Sequence, residues 1–110
     1  MRSGRIAVIG AGLGGLSASI RLASRGFHVE VFEKNGGPGG KANTMECGGY
    51  RFDTGPSLLT LPSVMEQLFE EAGEKLEDNL NPVKLEVICR YFYPDGSVIN
   101  AYSDTHRFAD

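Results

Sequence analysis

The chain has 110 residues, 41% of them hydrophobic, which suffices for one small domain with a core. Eleven basic and fourteen acidic side chains give a net charge of −3. The first sixty residues carry seven basic and four acidic groups and the last fifty carry four and ten, so neither half offers the clustered basic face of a nucleic-acid binder.

The apolar run Ile6–Ile9 near the N-terminus is broken at once by glycines. It is too short for a signal core or a membrane span. A cytoplasmic location is therefore expected, and peripheral membrane contact stays compatible with it. Cys47 and Cys89 stand forty-two residues apart without a CxxC or a companion histidine cluster. Two reduced structural thiols and no metal site are the expectation.

In chain order, Arg5–Ile9 (RIAVI) is a short continuous apolar run, the pattern of a parallel strand covered on both faces. After the glycines, LSASIRLASR predicts a helix. Leu16, Ile20 and Ala23 form one stripe, Gly15, Ser19 and Leu22 adjoin it, and Gly26 lies beyond its end. Phe27–Phe32 (FHVEVF) alternates Val29 and Val31 with His28 and Glu30, a second strand. Strand, glycine turn, helix and strand make the opening of a right-handed βαβ unit.

Residues 36–57 hold seven glycines and two prolines, a composition that avoids regular structure. Downstream, LPSVMEQLFEEAG places Val64, Met65, Leu68, Phe69 and Ala72 on one helical face. Ser63 with Glu66 offers a capping box, Pro62 suits a slightly earlier start, and Gly73 closes the helix. VKLEVICRYFYPDGSVINAY predicts an antiparallel hairpin turning at Pro94-Asp95-Gly96, with Val83, Leu85, Val87, Cys89, Tyr91 and Tyr93 on one face. No repeat or low-complexity tail occurs. A two-strand βα start cannot complete a doubly wound sheet, so the pattern is that of the front of a larger α/β fold. Residues 1–60 are expected to be the N-terminal part of a dinucleotide-binding domain, and 61–110 the start of a second, substrate-facing layer.

Gly10-Ala11-Gly12-Leu13-Gly14-Gly15 satisfies GxGxxG between a predicted strand and a predicted helix. Gly10 permits the tight turn, Gly12 lets a pyrophosphate approach the backbone, and Gly15 allows close helix packing. The helix N-terminus then faces the anion with free N–H groups. Glu33 follows Gly15 by eighteen residues, at the end of the second strand, where a carboxylate accepts ribose hydroxyls. It would repel a 2′-phosphate, which disfavours NADP. NAD and FAD both remain open on this fingerprint.

From Gly39 the residues run Gly39-Gly40-Lys41-Ala42, then Met45, Gly49, Phe52, Asp53 and Gly55. This series resembles the glycine-doublet signature of FAD-dependent amine-oxidase-like flavoproteins, with lysine at Lys41 where arginine is commoner. Arginine would offer a planar fork of donors and lysine a compact point charge. With DTGPSLLTLPSVMEQLFEEAG and YFYPDGSVINAYSD added, the whole chain resembles the N-terminal part of bacterial-type phytoene desaturases and related carotenoid desaturases and isomerases, corresponding to roughly their first quarter.

The resemblance implies an FAD-dependent oxidoreductase acting on a membrane-dissolved polyene such as phytoene, with a hydride passing to the flavin. Carried over by position, it implies that Gly10, Ala11, Gly12, Gly14 and Gly15 hold the pyrophosphate and that Glu33 with Lys34 flanks the adenosine ribose. Gly40 and Lys41 would lie along the cofactor, and Gly55, Pro56 and Ser57 would approach the flavin. Asp53 is expected to serve a structural hydrogen bond in its turn. The segment names no catalytic acid or base and does not separate desaturase from isomerase. Amine or porphyrinogen oxidases share the doublet, but TGPSLLTLPS argues against them. The non-catalytic escorts of prenylated GTPases share the fold but tend to lose the complete glycine set.

Overall fold

The computed structural model describes residues 4–108 and divides into two compact units between Leu80 and Asn81. In the first unit, strand β1 (Arg5–Ile9) leads through glycines into helix α1 (Leu13–Ser24) and returns as strand β2 (His28–Phe32), parallel to β1 and paired Arg5 to His28 through Ile9 to Phe32. This is the expected βαβ opening.

Helix α1 begins three residues earlier than the apolar stripe indicates, with Gly12 as its N-cap. Its C-terminus forms a Schellman turn. Gly26 (φ +87°) donates to Ala23 O at 2.9 Å and Phe27 to Leu22 O at 3.2 Å. Ser19 is buried, Gly15, Leu16, Ile20 and Leu22 are half-buried, and Ala23 lies exposed outside the stripe.

Strand β1 departs from expectation in one respect. Its exposure alternates, with Ile6 and Val8 half-buried and Ala7 and Ile9 exposed. Coverage on both faces needs helices on both, and this unit lays α1 against β1 and β2 from one side only.

The glycine-rich segment contains regular structure that its composition did not reveal. Strands β3 (Thr44–Cys47) and β4 (Tyr50–Asp53) pair antiparallel around Gly48 and Gly49, both at positive φ (+59° and +81°). Two consecutive positive φ values are what a tight two-residue hairpin turn requires, and glycine adopts them without strain.

Helix α2 (Pro62–Glu71) starts with proline in its first turn, and Leu61 is its N-cap without a side-chain bond. The Ser63–Glu66 capping box therefore does not form, because the helix begins at Pro62. Gly73 (φ +79°) ends it as expected, donating to Glu70 O at 3.0 Å while Glu74 donates to Phe69 O at 2.9 Å. Helix α2 packs on α1 and on the short helix α3 (Leu76–Asn79), so by contact it belongs with the first sixty residues. Leu68 and Leu76 are buried there.

The second unit is a hairpin of β5 (Val87–Phe92) and β6 (Val98–Tyr102), followed by one helical turn, α4 (Thr105–Phe108). Its turn is the expected one. Gly96 (φ +86°) donates to Tyr93 O at 3.0 Å, and Ser97 donates to Asp95 Oδ1 from its hydroxyl at 2.7 Å and its N–H at 2.9 Å. These donations hold the Asp95 carboxyl below the usual aspartate range, the hydroxyl most strongly. The strand starts at Val87 rather than Val83. Opposite it, β6 ends at Tyr102, and one bond from Ser103 N to Glu86 O closes the pairing. A register shift between Val87 and Cys89 also breaks the expected single face.

Candidate dinucleotide-binding site

Gly10 turns the chain out of β1 at φ +96°, and its N–H donates to Phe32 O at 2.7 Å. Ala11 follows, one of the buried residues of the chain. Its peptide groups are engaged on both sides: the N–H donates to Glu33 Oε2 at 2.7 Å, and the carbonyl accepts from Gly39 N at 2.8 Å. Gly12 is extended (φ −74°, ψ 177°) and starts α1 with no side-chain cap and no acidic residue in the first turn. The first N–H groups of a twelve-residue helix thus remain available for an anion, with the positive end of the helix dipole behind them.

The glycines differ in what they permit. A Cβ on Gly15 would overlap the Gly10 carbonyl oxygen and lie 3.6 Å from Val8 Cγ1, as expected of the residue that lets helix and strand close up. Its carbonyl accepts the buried Ser19 hydroxyl at 2.7 Å, a contact that alanine there could not make. A Cβ on Gly14 would meet nothing within 4 Å, so that glycine leaves open surface at the helix N-terminus.

Glu33 follows directly on the end of the second strand, as anticipated. Its Oε1 accepts Asn35 N at 2.9 Å and Asn35 Nδ2 at 2.8 Å, while Oε2 accepts Ala11 N. These donors, Ala11 foremost, hold the carboxyl below the usual glutamate range against a smaller opposing effect of desolvation. It is an anion throughout neutral pH.

The doublet lies against the loop. Gly39 (φ +124°) forms a parallel bridge with Gly12, and a Cβ on Gly40 (φ +60°) would come within 3.0 Å of Gly12 Cα. Gly55 packs on the same segment from the far side, where a Cβ would overlap Lys41 O and sit 2.7 Å from Ala42 Cα. Backbone touches backbone at both places.

The structure therefore brings Gly10, Ala11, Gly12, Gly15, Glu33 and Gly40 together and ties Gly55 to Lys41. Lys34 and Lys41 are exposed, and neither makes an ion pair among the described residues. Pro56 lines a shallow depression of about 350 Å³ with Ala42, Asn43, Thr44, Asp53 and Gly55, and Ser57 is exposed next to it. Among the described residues the Asp53 carboxylate makes no turn hydrogen bond of the kind expected. Thr54 makes one instead, donating from N at 2.8 Å and from Oγ1 at 2.9 Å to Asn43 O.

Two contributors escaped the sequence reading. Asn35 has a legible signal, a short amide two residues beyond the carboxylate it bonds. Gly39 was recognised as part of the doublet, but its bond to Ala11 O joins segments twenty-eight residues apart and has no local signature.

A turn of small residues, an uncapped helix end with free N–H donors and a carboxylate just beyond the next strand fit a diphosphate and a ribose. Together they define a dinucleotide-binding βαβ protein, whose cofactor is of the nucleotide type.

The profile of the NAD(P)-binding Rossmann-like domain family matches residues 8–72, and the chain belongs to that family. It is 51% identical over 100 residues to a 4,4'-diapolycopene oxygenase of a Methylomonas species, covering 91% of this chain and 20% of the relative. It is 44% identical over 102 residues to a 1-hydroxycarotenoid 3,4-desaturase of a Flavobacterium species, covering 93% and 21%. A 4,4'-diaponeurosporene oxygenase of Staphylococcus haemolyticus is 43% identical over 104 residues, covering 94% and 21%. The chain thus spans about a fifth of the length of the curated relatives it matches. Among solved structures, a CLA-producing fatty acid isomerase from P. acnes matches with a TM-score of 0.50 and 30% identity, over 96% of this chain and 24% of that one. No helix among the described residues is long and apolar enough to cross a membrane.

Proposed function

We infer that this chain is the FAD-binding front portion of an oxidoreductase that dehydrogenates a carotenoid-type polyene, in the manner of a phytoene desaturase. The observation that carries the reading is the docking of Gly39 and Gly40 on the Gly12 turn, with Glu33 beside it. A generic dinucleotide turn needs no second glycine segment, whereas the doublet series from Gly39 to Gly55 resembles that of FAD enzymes.

In this reading Gly10, Ala11, Gly12, Gly14 and Gly15 border the pyrophosphate, which takes the free N–H groups at the start of α1 and the open space at Gly14, while the Gly10 and Ala11 N–H groups hold the turn itself. Glu33 and Lys34 flank the ribose, and the Glu33 charge excludes a 2′-phosphate. Gly40 and Lys41 run along the cofactor, with Lys41 supplying a point charge to the diphosphate. Gly55, Pro56 and Ser57 border its flavin end. Bound FAD would supply the two-electron acceptor for removal of a hydride and a proton from neighbouring substrate carbons, with a quinone or oxygen as the final oxidant. The described residues supply binding and orientation, and no acid or base is assigned among them. In this reading the protein works in the cytoplasm, peripheral to the membrane in which its polyene substrate dissolves.

The relatives named oxygenases and the isomerase neighbour make product mass the deciding quantity. The natural full-length protein should release FAD on denaturation, identified by chromatography. Given phytoene, it should yield a product two hydrogens lighter. A product of unchanged mass favours isomerase chemistry, and added oxygen favours oxygenation. A colourless protein without flavin overturns the reading.

A further inference from the structure

We propose that Asn35 is a positioning residue for the dinucleotide, acting through Glu33. The proposal rests on the reading that Glu33 accepts the ribose hydroxyls. A carboxylate oxygen has two lone-pair directions. Asn35 fills both on Oε1, one from its backbone N–H at 2.9 Å and one from its side-chain amide at 2.8 Å. Ala11 N–H takes one on Oε2 at 2.7 Å. The direction these bonds leave open lies on Oε2, the oxygen that also touches the glycine turn, and serves one ribose hydroxyl.

Asn35 thus decides which oxygen is presented to the cofactor and prevents the carboxylate from rotating away from Ala11. The Ala11 peptide is in turn held from its other side by Gly39. The chain Asn35–Glu33–Ala11–Gly39 consequently sets the shape of the turn without any help from the ligand. Pre-organisation of this kind improves affinity by removing ordering that binding would otherwise have to accomplish. Lys34, between the two residues, is the other charged group nearest in sequence. Its side chain is exposed and forms no ion pair among the described residues, and its backbone N–H is the weakest of the donors acting on the Glu33 carboxylate.

The test uses the natural full-length protein stripped of flavin, with FAD as the probe, and variants Asn35→Ala, Asn35→Ser and Glu33→Gln. Two quantities are read: the FAD dissociation constant, and the carboxyl titration of Glu33 by carbon-13 NMR, assigned through its loss in Glu33→Gln. Losing one charge-assisted hydrogen bond in Asn35→Ala should weaken FAD binding roughly five- to thirty-fold. The Glu33 titration should move to higher pH in the same variant. Asn35→Ser retains a hydroxyl donor and should recover part of both effects. If Asn35→Ala leaves the titration or the affinity unchanged while Glu33→Gln weakens binding, the proposal falls and the ribose reading stands. If Glu33→Gln binds FAD like the unaltered protein, the ribose reading falls and takes the proposal with it.

Discussion

A methyl group added at Gly14 and one added at Gly15 meet opposite surroundings. At Gly15 it would collide with the Gly10 carbonyl, so Gly15→Ala should destabilise the fold by about 2–3 kcal/mol, read from denaturant midpoints. At Gly14 it meets open space inside a helix, so Gly14→Ala should stabilise the fold by about 0.5–1 kcal/mol. If Gly14 borders the pyrophosphate, the same change should weaken FAD binding, and a stabilised protein with unaltered affinity would remove Gly14 from the site. Glu33 adds a pH dependence with a definite sign. Its carboxyl titrates lower in the fold than in the unfolded chain, so its contribution is complete above the ordinary glutamate range and is lost as the pH falls below about 4. The stability gap between the natural protein and Glu33→Gln should therefore be constant near neutrality and narrow under acid unfolding.

Between elements, the helices α1 and α2 are joined by Arg21 and Glu71, with Nε 3.2 Å from Oε2. The angle is poor, and the buried Nε has no hydrogen-bond partner. Both side chains are two-fifths exposed, so a double-mutant cycle with alanine at each should give a coupling below about 1 kcal/mol, fading with salt. Elements that announce themselves by period were legible in the sequence: β1, β2, α1 and α2, together with both helix-ending glycines and the Pro94–Gly96 turn. The hairpin β3–β4 was hidden by glycine density, although Thr44–Cys47 and Tyr50–Asp53 flank a two-glycine turn, itself a strand-pairing pattern. The reverse error fell on 83–86. Apolar and polar residues alternate there, but no partner residue on β6 lies opposite, and Val83 is left 78% exposed. Within the site, the glycine turn and Glu33 could be read because their spacing is local. The Ala11–Gly39 bond could not, because only folding brings its ends together.

At the scale of the whole molecule, apolar exposure is the dominant fact. The buried apolar residues among those described are Ala11, Leu68, Leu76 and Ala101, while Ile9 is 82% and Phe92 74% exposed. Of the four residues that the sequence leaves without cover, Val31 and Leu85 are exposed and Val8 and Val87 are half-buried. The three separate two-stranded sheets among the described residues give little independent stability, since a lone pair of strands is marginal in water. Titration of FAD into the 110-residue chain by itself should accordingly show weak binding or none, and tight saturable binding would refute this.

The bridge between Gly12 and Gly39 makes chain length, as much as residue type, a property of the site. Five residues, 34–38, cross from Glu33 to Gly39, and both ends are fastened to Ala11. One extra residue inserted there would shift one fastening relative to the other and, on the FAD reading, should abolish flavin retention. The tip at Gly48–Gly49 is tied to neither, so on the FAD reading a short peptide tag placed there should leave flavin retention by the full-length protein intact. Retention of flavin after insertion within 34–38 would show that the two fastenings act separately.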